Sequence, residues 1–300
     1  MSENTQNPLS NLSEALVERV RAARPLVVGI AAPGHRKRSG TLWRKDVVVA
    51  SEQSFPDVDE AEVTVADGSA FSARVAGRDS GTNVVALRLA GTAHPALLPA
   101  GEPHPGTLVL ALGAGQDGVS VRLGAIHSVG PTWHSRAGGR IDRRIVLDIG
   151  LTRKEEGGPV LDPGGGLLGI STLGPRGSVL VIPAATIEGV LEPLLSTGRV
   201  ERGWLGVALQ PVLVPEAVQT EAGQTRGLMI MSVSKDGPAA RASLHAGDIL
   251  VTIGGAGVTS ATAVAQHLGP DSVGKQVELR LVRAGKALSI AVTVGIRPYR

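Results

Sequence analysis

Apolar residues recur at positions 9, 12, 16 and 20, with Glu14, Glu18 and Arg19 between them. Steps of three and four residues predict a short amphipathic helix over 9–23. From residue 26 the pattern changes. Brief runs rich in Val, Leu and Ile occupy 26–31, 47–50, 61–65, 71–75, 84–89 and 107–112, then 119–129, 145–149, 167–171 and 178–182. These are β-favouring runs, broken by turn pairs such as Asp67-Gly68 and Pro163-Gly164. Their spacing, with no long helix between them, predicts a barrel or sandwich rather than a parallel α/β sheet. Apolar positions return to helical spacing over 187–195 and stop at Gly198, and the polar stretch 197–203 reads as a linker. Beyond it, strands at 204–209, 227–234, 249–253, 277–282 and 287–294, with helices at 238–243 and 260–268, predict a small α+β domain.

The length of 300 residues is about twice the ~150 of an ordinary domain, in agreement with two folding units. Apolar residues make up 42% and charged residues 19%, so the chain has enough surface to bury and wholesale disorder is excluded. Its aromatics are few and scattered (Phe55, Phe71, Trp43, Trp133, Trp204, Tyr299), which leaves an aliphatic core and no stacking platform for bases. The net charge of +3 is too weak a field to grip a polyanion, so nucleic acid is not an expected partner. The absence of Cys excludes disulfides, thiolate catalysis and cysteine metal sites. Residues 1–13 are polar, and the apolar run 25–33 is too short and too far along for a secretory leader, so a cytoplasmic location is expected, or a periplasmic one if the N-terminus was trimmed. No run approaches the ~18 apolar residues of a membrane span.

Two motifs lose their chemical reading on context. Gly113-Ala114-Gly115-Gln116-Asp117-Gly118 fits a dinucleotide-loop string, but 119–123 alternates as a strand where a phosphate-cradling helix would begin, so these glycines read as a hairpin loop. The histidines at 35, 94, 104, 127, 134, 245 and 267 show no metal-ligand spacing, so no metal and no cofactor is expected.

The block Glu156-Gly157-Gly158-Pro159-Val160-Leu161, followed by Gly166-Leu167-Leu168-Gly169-Ile170, resembles the nucleophile region of the HtrA family, trypsin-like serine proteases that carry PDZ domains. In that family the block reads Gly-Asn-Ser-Gly-Gly-Pro-Leu. In order along the chain, Ser39-Gly40, Val47-Val48-Val49-Ala50, Val63-Thr64-Val65-Ala66-Asp67-Gly68, Thr82-Asn83-Val84-Val85-Ala86-Leu87, Val181-Ile182-Pro183 and Arg202-Gly203-Trp204-Leu205-Gly206-Val207 extend the resemblance. The implied architecture is mainly β. An N-terminal helix (1–24) leads into a trypsin-like double antiparallel β-barrel (25–198) and then a small α+β PDZ domain (203–297).

Against that pattern the catalytic positions differ. Gln53, or Glu52 one register off, stands where the family has its His, Asn83 where it has Asp, and Glu156 where it has Ser. Lys154 replaces a Gly whose N–H helps form the oxyanion hole. A neutral amide takes up no proton near pH 7, and Asn83 lacks the charge that steadies an imidazolium. The replacements predict a pseudoprotease, not an enzyme, that binds or regulates through its PDZ domain. The alternatives are a serine-type endopeptidase with a non-standard site, or a regulatory subunit of an active related protease. Arg153-Lys154-Glu155-Glu156 reads as a solvated charged loop rather than as an acid/base pair of carboxylates. Ser51 and Ser54 flank position 53 without a His nearby in sequence.

The resemblance implies a peptide groove in the second domain. The loop Gly203-Trp204-Leu205-Gly206 would cap a terminal carboxylate with backbone N–H groups, and the strand carrying Val207 and Leu209 would accept an extended peptide. Val264, His267 and Leu268 would form the far wall, with His267 as a polar selector. Expected partners are C-terminal or extended peptide segments, and an active related protease. Family members trimerise through aromatics at the start of the protease domain, and none stands here before Trp43. Homo- and hetero-oligomers therefore stay open, with the leading helix either an interface or packed on its own barrel.

Overall fold

Asn7 and Pro8 fix the start of the first helix. The Asn7 side chain accepts the Leu9 N–H at 3.0 Å, and proline at the first helical position gives up no donor that the helix needs. The computed structural model describes residues 7–298 apart from Thr92, His94, Ala96, Asp117 and Arg136. Helix α1 (Pro8–Ala23) buries only Ala23 fully. Leu12, Ala15, Leu16 and Arg19 line a shallow cleft with Leu108, Val109, Leu110, Leu123 and Pro163. Leu9 and Val17 stay exposed. The helix thus rests one stripe on its own barrel.

Two closed six-stranded barrels follow. The first comprises β1 (Val27–Ala31), β2 (Arg38–Arg44), β3 (Val47–Ser51), β4 (Glu60–Thr64), β5 (Ala70–Asp79) and β6 (Val84–Leu89), in the order 1-2-3-6-5-4. Antiparallel pairing of β1 with β4 closes it. Val28, Ile30, Leu42, Val48, Val63, Val85 and Leu87 fill the interior, and β-branched side chains suit that pleated, crowded surface.

After β7 (Leu108–Ala114) and β8 (Val119–Gly130) comes a small ribbon of β9 (Trp133–His134) and β10 (Arg140–Ile141). The second barrel adds β11 (Arg144–Leu147), β12 (Pro159–Leu161), β13 (Leu167–Leu173) and β14 (Val179–Pro183), in the order 11-14-13-12-7-8. Its interior holds Val109, Ile126, Ile145, Leu147, Val160 and Val181. β7 and β8 pair from Leu108↔Ala125 to Ala114↔Val119. The glycine string therefore lies in the hairpin between them, with Asp117 outside the described residues. Helix α2 (Ala184–Thr197) ends on Gly198 at φ +77°, a left-handed cap that glycine adopts at little cost.

The contact pattern divides the chain into a unit of residues 1–133 and 141–199 and a second of residues 134–140 and 200–300. The second unit starts with β15 (Gly203–Trp204) and β16 (Val207–Leu213), then α3 (Glu216–Ala222), β17 (Arg226–Val233), α4 (Pro238–Arg241), β18 (Ile249–Ile253) and β19 (Ala256–Gly257). It ends with α5 (Ala261–Gln266), β20 (Gln276–Arg283), β21 (Lys286–Thr293) and β22 (Gly295–Ile296). Its main sheet runs β16-β17-β18-β20-β21 over a core of Leu205, Leu228, Leu250, Ile253, Leu279, Leu281 and Val292. Helix α3 has no counterpart in the sequence reading. It has only seven residues, too few for a helical period to stand out, and it is held by Val218 and Ala222 packing with Ile249, Val251 and Val282.

Candidate functional site

The three positions that the resemblance assigns to catalysis meet in one cleft of the first unit. Gln53 sits in a short 3-10 turn after β3, Asn83 immediately before β6, and Glu156 in the turn ahead of β12. Asn83 has φ +61°, a left-handed conformation that Asn and Asp tolerate better than most residues. It uses that pose to bind back: Oδ1 accepts the Gln53 N–H at 2.7 Å, while Nδ2 donates to Thr172 Oγ1 at 2.9 Å and Ser51 Oγ at 3.1 Å. Gln53 Nε2 then donates to Glu156 Oε1 at 2.8 Å, and it also lies within reach of Thr172 Oγ1 and the Leu173 carbonyl. The geometry places Gln53, not Glu52, in line between Asn83 and Glu156. Glu52 packs elsewhere, where burial pushes its carboxyl up against the opposing pull of Arg78.

Glu156 is only 2% exposed. Its Oε1 accepts hydrogen bonds from Gln53, from Thr172 Oγ1 at 3.1 Å and from the Leu173 N–H at 2.8 Å, which satisfies a carboxylate that burial would otherwise penalise. Glu155, 6% exposed, points the other way. Burial alone would raise its carboxyl. The Arg122 guanidinium, at 3.0 and 3.2 Å, and the N–H and hydroxyl of Thr152 hold it below the usual carboxylate range. The charged run is therefore not a solvated loop. Its two glutamates are buried in opposite directions, each with partners that a linear sequence does not reveal, while Arg153 and Lys154 stay exposed.

Gly157 and Gly158 are fixed by close approach. A Cβ on Gly157, at φ +88°, would fall 2.7 Å from the Ser39 carbonyl oxygen, and one on Gly158 would fall 1.9 Å from the Leu112 carbonyl oxygen. The Lys154 carbonyl accepts both the N–H and the hydroxyl of Ser39, at 2.9 and 2.6 Å. Ser51 is fully buried beside Asn83 and Thr172, and the Ser54 hydroxyl donates to the Ser51 carbonyl.

In the second unit, a cavity of about 220 Å³ is lined by Gly203, Trp204, Leu205, Gly206, Val207, Leu209, Val264 and Leu268. His267 is not among its lining residues. It caps α5, its ring beside Gly254, so it is not placed as a selector. Ala261, Ala265, Arg202, Arg297 and Gly138 complete the lining. The helical spacing of Ala261, Val264, Ala265 and Leu268 was the signal available for the two alanines. Nothing in the sequence connects Gly138 or Arg297 to residue 203. Gly206, at φ +80°, turns the chain beneath the Trp204 ring, and its carbonyl accepts from Ser234. β16 ends the strand order, so one side of its backbone is unpaired by the sheet. An extended peptide can add there, up to Pro211, which has no N–H to donate.

Residues 38–170 match the trypsin-like peptidase domain family, and residues 203–294 match the PDZ domain family. Over 282 residues the chain is 29% identical to the probable periplasmic serine endoprotease DegP-like of Brucella suis biovar 1 (strain 1330), covering 89% of this chain and 54% of that protein. The chain thus spans about half the length of the curated relatives it matches. Among solved structures it is similar to the serine endoprotease from Yersinia pestis, at 27% identity and a TM-score of 0.76, over 94% of this chain and 98% of that one. It is also similar to the HtrA-type protease AlgW with tripeptide, at 25% identity and a TM-score of 0.75, over 95% and 98% of the two chains.

Two expectations are corrected by these relatives. The reading of the chain as no enzyme is overturned by relatives named serine endoproteases. It rested on three side chains, and three identities do not exhaust the hydroxyls and bases of a cleft. The cytoplasmic expectation is overturned by relatives named periplasmic, since a polar start to a sequence does not fix a compartment. With a trypsin-like peptidase domain followed by a PDZ domain, the chain has the domain order of the HtrA-type proteases and is similar to them along nearly its whole length.

Proposed function

We propose that this chain is an HtrA-type protein that captures the C-terminal or extended segments of other polypeptides in its PDZ groove, and that it does so in the periplasm. The observation that carries the reading is one cavity bounded by the 203–206 loop, the open edge of β16 and the α5 wall. Backbone N–H groups, a free strand edge and an apolar side-chain pocket are the parts that β-augmentation needs. The structure of AlgW with tripeptide supports the same class of ligand.

Ala265 is the position to test, because it lines the cavity without belonging to the buried core. Ala265→Trp is expected to weaken binding of a peptide ending in a free valine carboxylate by about tenfold or more, with an unchanged melting curve. Unchanged binding in a folded variant would move the site elsewhere. Leu205 is a poorer choice, being 2% exposed in the domain core, where a charge would unfold the domain as well as block it.

The relatives' names favour a second reading, a serine-type endopeptidase that works through a non-standard site. Gln53, Asn83 and Glu156 stand at the three catalytic positions in this proposal, and Lys154 at the oxyanion position. Hydrolysis then requires a nucleophile other than residue 156 and a base other than residue 53, because a carboxylate offers no hydroxyl and a neutral amide accepts no proton. Fluorophosphonate labelling followed by peptide mapping tests it. A labelled serine whose alanine variant loses casein turnover supports the reading, and neither label nor turnover retires it.

A further inference from the structure

The groove's charge is one-sided. Among the described residues lining its cavity, the charged ones are Arg202 and Arg297, and none is acidic. They come from distant parts of the chain. Arg202 precedes the 203–206 loop, and Arg297 follows β22, whose pairing with β15 at Gly203↔Ile296 and Trp204↔Gly295 brings it back to the loop. The Arg297 N–H donates to the Arg202 carbonyl at 2.9 Å, which fixes the two backbones side by side. Their side chains converge on Gly138. A Cβ built there would lie 3.8 Å from Arg297 Nη1 and 3.9 Å from Arg202 Cδ. The contact given for the Arg297 guanidinium is a neutral one, Nη1 to the Ala137 carbonyl at 3.3 Å, which holds the group in place without cancelling its charge. A guanidinium has five N–H donors, so one such bond leaves others for a ligand.

From this we infer that the groove selects chain ends carrying a second carboxylate, an Asp or Glu side chain within the last few residues, in addition to the terminal carboxylate. The inference rests on the peptide-capture reading and deepens it. The loop supplies backbone donors for the terminus, and the apolar stripe of Leu205, Val264 and Leu268 takes the last side chain. Arg297 faces the same space and attracts a further anion. The Arg297 guanidinium beside an apolar cleft disfavours a lysine there by the Coulomb argument. Pro211 limits strand addition from the other end, so the recognised segment is short and its acidic residue lies close to the terminus.

The experiment uses fluorescein-labelled hexapeptides ending in valine, titrated into the full chain and followed by fluorescence anisotropy. One set carries Glu at the second, third or fourth position from the end, a second carries Gln there, and a third is the Glu set with C-terminal amides. At low salt, at least one Glu peptide is expected to bind about fivefold tighter than its Gln partner. That ratio should fall toward one in Arg297→Gln and also at about 0.5 M salt, with the Glu peptides losing more affinity than the Gln peptides, which share only the terminal carboxylate. Glu and Gln peptides that bind alike in the natural protein would overturn the acidic preference and leave the groove standing. Binding by no acid-ended peptide, or equal binding by the amides, would overturn the groove reading itself. A Glu preference that survives in Arg297→Gln would remove Arg297 from the account.

Discussion

In a Gln53→His, Asn83→Asp, Glu156→Ser variant, a fluorophosphonate is expected to label residue 156, where the natural chain has no hydroxyl to react. The geometry is the reason. Acyl transfer needs a nucleophile bonded to a base and a third group that orients that base. The chain already holds that order, with Glu156 Oε1 bonded to Gln53 Nε2 and Asn83 Oδ1 on the Gln53 backbone N–H. Both barrels hold it rigidly: Thr172 on β13 ties Asn83 to residue 156, and Gly157 and Gly158 fit spaces that no Cβ could enter. Asp suits the left-handed pose of residue 83 as well as Asn does. A folded variant in which residue 156 stays unlabelled would mean that these are not the catalytic positions.

The second large effect concerns stability. Asp248 is 2% exposed, and its carboxylate takes a two-pronged bond from Arg283, Nε to Oδ1 and Nη2 to Oδ2, both at 2.7 Å, together with the His245 N–H at 2.8 Å. Removing one partner of such a pair strands the other. Because the Arg283 side chain is 31% exposed, the cost of Asp248→Ala is set at about 2–3 kcal/mol, below the range for a fully buried pair. Burial would raise the Asp248 carboxyl, but Arg283 and the His245 N–H hold it below its ordinary value. A lowered folded-state pKa stabilises the fold in full above the unfolded-state value, about 3.9, and the contribution is lost as pH falls from there through the folded value. Urea unfolding of the natural chain and the variant is therefore expected to differ by a constant amount between pH 5 and 7, with the gap closing below pH 4. A gap that widened in acid would contradict the assignment.

Much of the architecture was legible because its causes are local. The valine-rich runs at 47–51 and 84–89 are strands buried on both faces apart from Arg88, and Asn7-Pro8 and Gly198 punctuate helices by their own conformational chemistry. The positions proposed for the triad rest on a similar reason, since short motifs surround each of them. The partners of the two glutamates were not legible. Glu155 meets Arg122 and Glu156 meets Gln53 only when the barrels close, across separations of 33 and 103 residues, so a run of four charged residues read as a solvated loop. Arg297 and Gly138 were invisible for the same reason, because the pairing of β22 with β15 and the placing of 134–140 in the second unit are properties of the fold. His267 illustrates the converse. The resemblance put it on the far wall of the groove, but it is not among the residues that line the cavity.

The most direct test of peptide capture is a calorimetric titration of the purified full chain with a hexapeptide ending in a free valine carboxylate, and with the same peptide as its C-terminal amide. The account predicts saturable one-to-one binding of the acid and binding of the amide weaker by at least about tenfold, because the backbone donors of the 203–206 loop need the charge they cap. Equal binding of the two, or no binding of either, would contradict it.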